Sequence, residues 1–372
     1  MAGYAVDPDV KFVKEIQRLG GETLKKCFQC ATCSVICPLS SDEKPFPRKE
    51  MIWAQWGLKD KLVKNGDIWA CHQCGDCSTY CPRGARPGDV VAAARAYAIR
   101  EYAFPRFMGV MLGEGKYLPV ILAIPLAIIL LVLAAIGNLK IPSGEIVYSK
   151  FLPIKFVDSI FLPFAGLAII SLGLGVRKFW TEMSPSRYRH LVGRNFLKSL
   201  VETIAEVLGH VRFKKCGANI GRFTAHLAVF YGFVGLFTTT NIVVFYEYIL
   251  HRETPLPLYD PAKIIGNISA IILFIGISLI IRNRLANPDQ SSSYFDWALI
   301  LMILGVTVSG ILTELLRLAD IATLAYPMYV IHLMFVFYII GYLPYSKLAH
   351  MVYRTVALAY KRHVETKGEL VR

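Results

Sequence analysis

Residues 117–137 read Tyr-Leu-Pro-Val-Ile-Leu-Ala-Ile-Pro-Leu-Ala-Ile-Ile-Leu-Leu-Val-Leu-Ala-Ala-Ile-Gly. A run of about 20 apolar residues with no Asp, Glu, Lys or Arg is what an α-helix needs to cross a hydrocarbon core roughly 30 Å thick. Five more apolar runs follow, near 157–176, 223–250, 264–281, 296–316 and 324–345, each bounded by Pro, Gly or charged residues. Residues 106–372 are therefore expected to form an all-α transmembrane bundle of about six spans. Of the 372 residues, 55% are hydrophobic and only 18% charged, which argues against an entirely soluble protein. The net charge of +14 raises the question of nucleic acid, and the placement of the charges answers it. Between Arg177 and Arg222 lie ten Lys/Arg (Arg177, Lys178, Arg187, Arg189, Arg194, Lys198, Arg212, Lys214, Lys215, Arg222) against three Glu, the signature of a cytoplasmic loop. Arg282 and Arg284 mark the next cytoplasmic turn and Lys347, Arg354, Lys361 and Arg362 crowd the C-terminal tail, while the loops near 138–156 and 251–263 are nearly balanced. The expectation is a multi-pass protein of the inner membrane with both termini in the cytoplasm, whose basic residues fix topology in the lipid bilayer and do not bind nucleic acid. Residues 184–212 are expected to form a helix, either amphipathic on the cytoplasmic membrane surface or an ordinary solvated one.

Residues 1–105 have a different composition. No basic n-region and no apolar h-region opens the chain, so this domain is expected to stay in the cytoplasm. Asp7 followed by Pro8 reads as an N-cap with Pro at N1, and Val10, Phe12, Val13, Ile16 and Leu19 follow at helical spacing up to Gly20-Gly21. Further helical patterns run from about Arg48 to Val63 and from Asp89 to Tyr102, with no alternating strand pattern of useful length. Eight of the nine cysteines lie here, in two copies of one motif: Cys27-x2-Cys30-x2-Cys33-x3-Cys37-Pro38 and Cys71-x2-Cys74-x2-Cys77-x3-Cys81-Pro82. Closely spaced triads let three thiolates reach adjacent irons of a [4Fe–4S] cube, while the fourth, before Pro, turns away and in two-cluster ferredoxins ligates the other cube. Cys27, Cys30, Cys33 and Cys81 are thus expected to hold one cluster, and Cys71, Cys74, Cys77 and Cys37 the second. Structural zinc uses paired CxxC or CxxH ligands, and disulfides suit an oxidising compartment, so neither fits as well. The 33 residues between Cys37 and Cys71 exceed what a small β-hairpin ferredoxin places between its motifs, so the domain is expected to be an α-helical double-cubane ferredoxin. His72, inside the second motif, could tune a cluster by hydrogen bonding but reads better as a solvent-facing spacer, and the isolated Cys216 reads as a buried inert thiol.

Ionisable residues inside spans are costly and mark candidate sites. His226 lies one turn into the third span, just after Arg222, and His350 lies at the cytoplasmic end of the sixth, so the two should sit at similar depth on antiparallel helices. That arrangement suits haem b held between two imidazoles, each with its other nitrogen hydrogen-bonded locally. The plainer reading of either histidine alone is an interfacial anchor. His332 precedes His350 by 18 residues, about 27 Å of continuous helix, and belongs near the outer face. A second haem there would need another ligand: His251 lies further out, and His190 and His210 are on the cytoplasmic side. Thr240, Asn241 and Glu314 are polar residues in spans that could meet a quinone, although such groups more often serve helix packing.

With both cysteine motifs and the helix before them, the first hundred residues resemble the C subunit of heterodisulfide reductase. The spanning half resembles the gamma subunit of respiratory nitrate reductase, a dihaem cytochrome b, through Phe223-Thr224-Ala225-His226-Leu227, the glycines and aromatics after it, and the spacing of His332 and His350. In that family one helix supplies two histidines ten residues apart, and Leu236 stands at the second position here. The resemblance implies haem b at His226 and His350 and leaves the outer haem open, so the count is one or two. The fusion of these modules resembles the C subunit of the quinone-interacting membrane-bound oxidoreductase complexes of sulfate reducers. It implies menaquinone as substrate, heterodisulfide reductase A-like flavin/Fe–S subunits as partners, and adenylylsulfate reductase beyond them. The expected function is an electron conduit between bilayer and cytoplasm. Its rivals are a heterodisulfide reductase with its own catalytic centre, against which the lack of Cys-Cys-Gly repeats counts, and a passive anchor for an Fe–S partner.

Overall fold

A computed structural model of the chain describes residues 7–184, 194–211, 220–252, 254–286 and 293–366. Among these residues there are helices and turns and no strand. Six helices are long and apolar enough to cross a membrane: Gly115–Ala135, Ile154–Met183, Arg222–Tyr248, Pro261–Ala286, Tyr294–Leu318 and Ala322–Gly341. Each overlaps one expected run. The third and fourth spans form one tight helix pair and the fifth and sixth another, while the first and second pack against the sixth. The large apolar residues left exposed along these helices, such as Leu131, Ile169, Phe237 and Ile271, are the side chains a bilayer would cover.

The sixth span departs from expectation. It ends at Gly341, not near residue 345, and two 3-10 turns, Leu343–Tyr345 and Lys347–Ala349, lead into a separate helix, His350–Thr366. Pro344 lacks the N–H that a continuing helix would use, so the hydrogen-bond ladder resets there. His350 is therefore the first residue of a new helix and does not lie on one rod with His332.

The cysteine-bearing domain also breaks where the sequence suggested continuity. The first helix, Val10–Ile16, is capped by Asp9, not Asp7: the Asp9 carboxylate accepts from the Phe12 N–H at 2.9 Å. The pattern from Arg48 to Val63 splits into Arg48–Gln55 and Lys59–Val63 at Gly57, where φ is +66°. A Cβ there would lie 2.7 Å from the Asp9 nitrogen, and the Asp9 N–H donates to the Gly57 carbonyl at 3.1 Å, so the break ties the two segments together. The third helix starts at Pro87, two residues before the expected Asp89. It is buried along most of its length and forms the spine of a core with Phe12, Ile16, Leu24, Met51 and Trp69.

That core does not stop at the domain boundary. Trp69 and Tyr102 meet Phe179, at the end of the second span, and Tyr353, on the C-terminal helix, with ring centroids 5.2–6.1 Å apart. Aromatic pairs at such separations contribute about 0.5–1.5 kcal/mol each beyond their burial. Tyr102 donates towards the Val63 carbonyl at 3.3 Å and the Glu182 carboxylate at 3.1 Å. Gly175 permits this seating, because a Cβ there would fall 2.3 Å from the Tyr353 hydroxyl and 2.6 Å from the Tyr102 carbonyl oxygen. A helix at Arg194–Leu208 lies on the C-terminal helix, with Ser199 and Thr203 buried and Arg362 paired to Glu206. Leu197, Val201, Ile204 and Leu208 line its exposed side, as in the amphipathic one of the two readings of residues 184–212. Residues 185–193, including His190, and Cys216 lie outside the described residues.

Candidate functional site

Both cysteine motifs fold the same way. In each Cys-x-Gln-Cys-x-x-Cys stretch the Gln and the residue after the second Cys take left-handed backbone, with φ of 60° and 68° at Gln29 and Ala31 and 55° and 96° at Gln73 and Gly75. A one-turn helix follows, Thr32–Val35 or Asp76–Thr79. In the second motif these turns wrap the triad around a concave space. An enclosed cavity is lined by Cys71, Cys74 and Cys77 from the second motif and by Cys37 from the first, with Phe46 and Val91 behind them.

Electrostatic proximity groups the thiols across the repeat. Cys33 lies within reach of Cys27, Cys30 and Cys81, and Cys27 of Cys81 and Cys30. Cys37 in turn feels Cys71 and Cys74, and Cys77 feels Cys71, Cys74 and Cys37 before Cys33 of the other group. Burial lifts Cys33 and Cys37 to about 11 and pushes Cys77 up as well, so binding a metal there would have to displace their protons. Cys30 is exposed, and the hydroxyl of Thr32 at 3.4 Å draws its thiol below the ordinary value. Backbone N–H groups of Gln73 and Ala85 donate to the sulfurs of Cys71 and Cys81, each at 3.3 Å, and the Gln29 amide reaches Cys27 at 3.4 Å. Hydrogen bonds to sulfur of this kind tune cluster potential. The donor chemistry, eight thiols in two repeated motifs, is that of a [4Fe–4S] dicluster domain, and the group of Cys37, Cys71, Cys74 and Cys77 lines a recess.

The histidines fall into two places. His350 is an electrostatic neighbour of His226. Its Nδ1 bonds the Lys347 carbonyl. A carbonyl can only accept, so Nδ1 carries the proton and Nε2 keeps its lone pair. Burial, with Lys347 beside it, pushes His350 down to about 3, which keeps the ring neutral. The Nδ1 of His226 lies 3.1 Å from Nε2 of His210, a residue whose position before the third span gave no hint of this contact. Arg222, one turn before His226, donates to the backbone carbonyls of Gln73 at 2.8 Å and Cys74 at 3.1 Å, and so joins the third span to the second cysteine motif. The only sequence signal for these two roles was the crowding of His210, Arg222 and His226 into 17 residues.

His332 stands apart. Its Nδ1 is 3.1 Å from the Ser309 hydroxyl, and its ring packs over Gly310, where a Cβ would come within 2.9 Å. Leu236 is packed among the apolar residues around Leu273 and Ile303. Thr240 and Asn241 bond carbonyls of their own helix at 3.0 and 2.7 Å. Glu314 pairs with Lys263 and, at 3.2 Å, with Arg317, so these polar residues have local structural partners.

Residues 23–85 match the model of a 4Fe-4S dicluster domain. Seated on six membrane-length helices, such a domain defines a membrane electron-transfer protein built around [4Fe–4S] clusters. Residues 109–369 match the model of citrate utilization protein B, and the chain belongs to that family. The chain is 27% identical over 280 residues to citrate utilization protein B of Escherichia coli, covering 72% of each. It is 38% identical over 93 residues to the C subunit of the H(2):CoB-CoM heterodisulfide,ferredoxin reductase of Methanothermobacter marburgensis, covering 25% of this chain and 50% of that protein. The chain thus spans about half the length of that relative. It is 26% identical over 197 residues to the E subunit of the dihydromethanophenazine:CoB–CoM heterodisulfide reductase of Methanosarcina barkeri, covering 49% of this chain and 72% of that one. No solved structure matches the chain.

Proposed function

We propose that the chain passes electrons between a quinone in the membrane, menaquinone by family resemblance, and cytoplasmic flavin/Fe–S subunits of the heterodisulfide reductase A type. Cys27, Cys30, Cys33 and Cys81 hold one [4Fe–4S] cluster and Cys37, Cys71, Cys74 and Cys77 the other. His226 and His350 hold one haem b, each through Nε2; His332, whose Nδ1 bonds Ser309, has no second histidine beside it among the described residues and is given no haem of its own. When bound, haem supplies a one-electron relay, and the protein's part is to fix the two rings, exclude water and set potential. In an organism that respires sulfate, the final acceptor is adenylylsulfate reductase. The protein sits in the cytoplasmic membrane with both termini inside.

The observation that carries this reading is the Arg222 bridge. It holds the segment bearing His226 against the loop of Gln73 and Cys74, so the paired histidines and the second cysteine group are neighbours. A passive anchor has no need of that juxtaposition. Haem quantitation per polypeptide, with a dithionite-reduced spectrum of the purified membrane protein, tests it. One haem b is expected, with its α-band lost in His226→Ala and in His350→Ala while the [4Fe–4S] signals persist. A wild-type protein without a b-type α-band, or variants with full haem content, would overturn the ligand assignment.

A further inference from the structure

We infer that His210 is a positioning residue that sets the tautomer and donor strength of His226 towards haem iron; the inference rests on the haem reading above. The Nδ1 of His210 lies 3.0 Å from the Leu208 carbonyl, which can only accept. Nδ1 of His210 therefore carries a proton, and its Nε2 presents a lone pair. That lone pair faces Nδ1 of His226 at 3.1 Å, so His226 must place its proton on Nδ1. Its own lone pair is then on Nε2, the nitrogen iron requires. One backbone carbonyl thus fixes two tautomers in series.

The geometry is built for this role. His210 is 5% exposed and has left-handed backbone, with φ at +51°, so the chain turns sharply at the end of the Arg194–Leu208 helix to bring the ring back over the third span. Phe223 and Phe230, which flank His226 by about one turn on either side, hold the ring edge-on, with centroids 6.4 and 5.0 Å away. His350 reaches the same tautomer by a shorter route, through the Lys347 carbonyl. The two rings of the pair are therefore oriented differently, one by a peptide carbonyl and the other by a second imidazole. An acceptor on the distal N–H makes the ligating nitrogen more basic and favours ferric iron.

The test compares two variants of the full-length protein: His210→Leu, which removes the acceptor, and His210→Gln, whose side-chain oxygen can accept in its place. The readouts are the haem midpoint potential and the ferric EPR signal, with [4Fe–4S] content as the folding control. His210→Leu is expected to shift the ferric-to-ferrous ratio at fixed potential about tenfold towards ferrous, which is about 59 mV for a one-electron couple. His210→Gln should recover most of that shift. Wild-type potential and EPR in His210→Leu would overturn the inference while leaving the haem reading intact. Loss of haem in both His210 variants but not in His226→Ala would also overturn it, by making His210 the ligand. A wild-type protein without haem would overturn both.

Discussion

Replacing Arg222 by Gln tests whether the two halves are coupled where the redox groups are. The guanidinium makes two charge-assisted hydrogen bonds, 2.8 and 3.1 Å long, to the carbonyls of Gln73 and Cys74. Bonds to charged groups contribute about 1.5–3 kcal/mol each, and partial exposure of the side chain puts these at the lower end. Losing both weakens the seating of the second motif by about 3 kcal/mol, which is about a 100-fold change in its local opening equilibrium at 1.4 kcal/mol per tenfold. Hydrogen exchange read by mass spectrometry over residues 71–82 of the intact protein measures this directly. The expected result is about 100-fold faster exchange in that peptide, with residues 27–38 much less affected, and chelator removal of the second cluster speeded while the first is spared. Arg222→Lys keeps the charge but cannot span both carbonyls, so it should fall between. Equal exchange in wild type and Arg222→Gln would refute the claim that this bridge holds the cysteine loop against the third span.

Two further outcomes follow from the cysteine domain. Because the thiols group across the repeat, Cys81→Ser should abolish the same [4Fe–4S] EPR signal as Cys27→Ser, and Cys37→Ser the same one as Cys71→Ser; losses that follow each motif separately would refute the crossed assignment. Glu50 is 1% exposed, with Lys49 at 3.3 Å, Asn65 donating at 2.9 Å and one carboxylate oxygen without a partner among the described residues. Burial lifts it from 4.5 to about 7, so the folded state holds its proton more tightly than the unfolded state. Its contribution is fully present below 4.5 and is lost as pH rises to about 7, a change of about 3 kcal/mol by linkage. Glu50→Gln keeps the Asn65 bond and removes the titration. Relative to wild type, its protection against hydrogen exchange over residues 48–70 should increase between pH 5 and pH 8, and an identical pH profile in the two proteins would count against this assignment.

The parts of the molecule legible in the sequence are those encoded by spacing or by sheer hydropathy. Six apolar runs became six helices because a long, mostly apolar stretch must satisfy its backbone N–H and C=O groups within itself, and a helix does so. The dicluster domain was legible because its two cysteine motifs keep the spacing that cubane ligation uses. What escaped depended on returns of the chain that no local pattern records. His210 reads as misplaced in the sequence since its distance from His226 is set by a left-handed turn, and Arg222 reads as a topology charge because its reach to the Gln73 loop is a tertiary fact. The sixth span is shorter than its apolar run because hydropathy continues through Tyr342, Leu343 and Tyr345 although the ladder resets at Pro344. There the residue to heed was the proline, not the apolar average.

The two cysteine groups are not equivalent, and the asymmetry gives the conduit a direction in space. Gln73 is gripped from both sides: Arg222 holds its carbonyl at 2.8 Å and the buried Arg95 holds its side-chain oxygen at 3.0 Å. Two cations in a poorly solvated region therefore stand beside the group containing Cys71 and Cys74. Each added electron makes a cluster more negative, and nearby positive charge offsets that change most where dielectric screening is least. The opposite group faces outward, with Cys30 exposed and with Phe28, Val35 and Tyr80 at 68%, 86% and 61% exposure on the segments that carry its ligands. Under the proposed function, an electron leaving the histidine pair meets the cation-flanked cluster first and the surface cluster last. Under the same reading, a cytoplasmic partner seated over Phe28, Val35 and Tyr80 receives the electron from the group that contains Cys30.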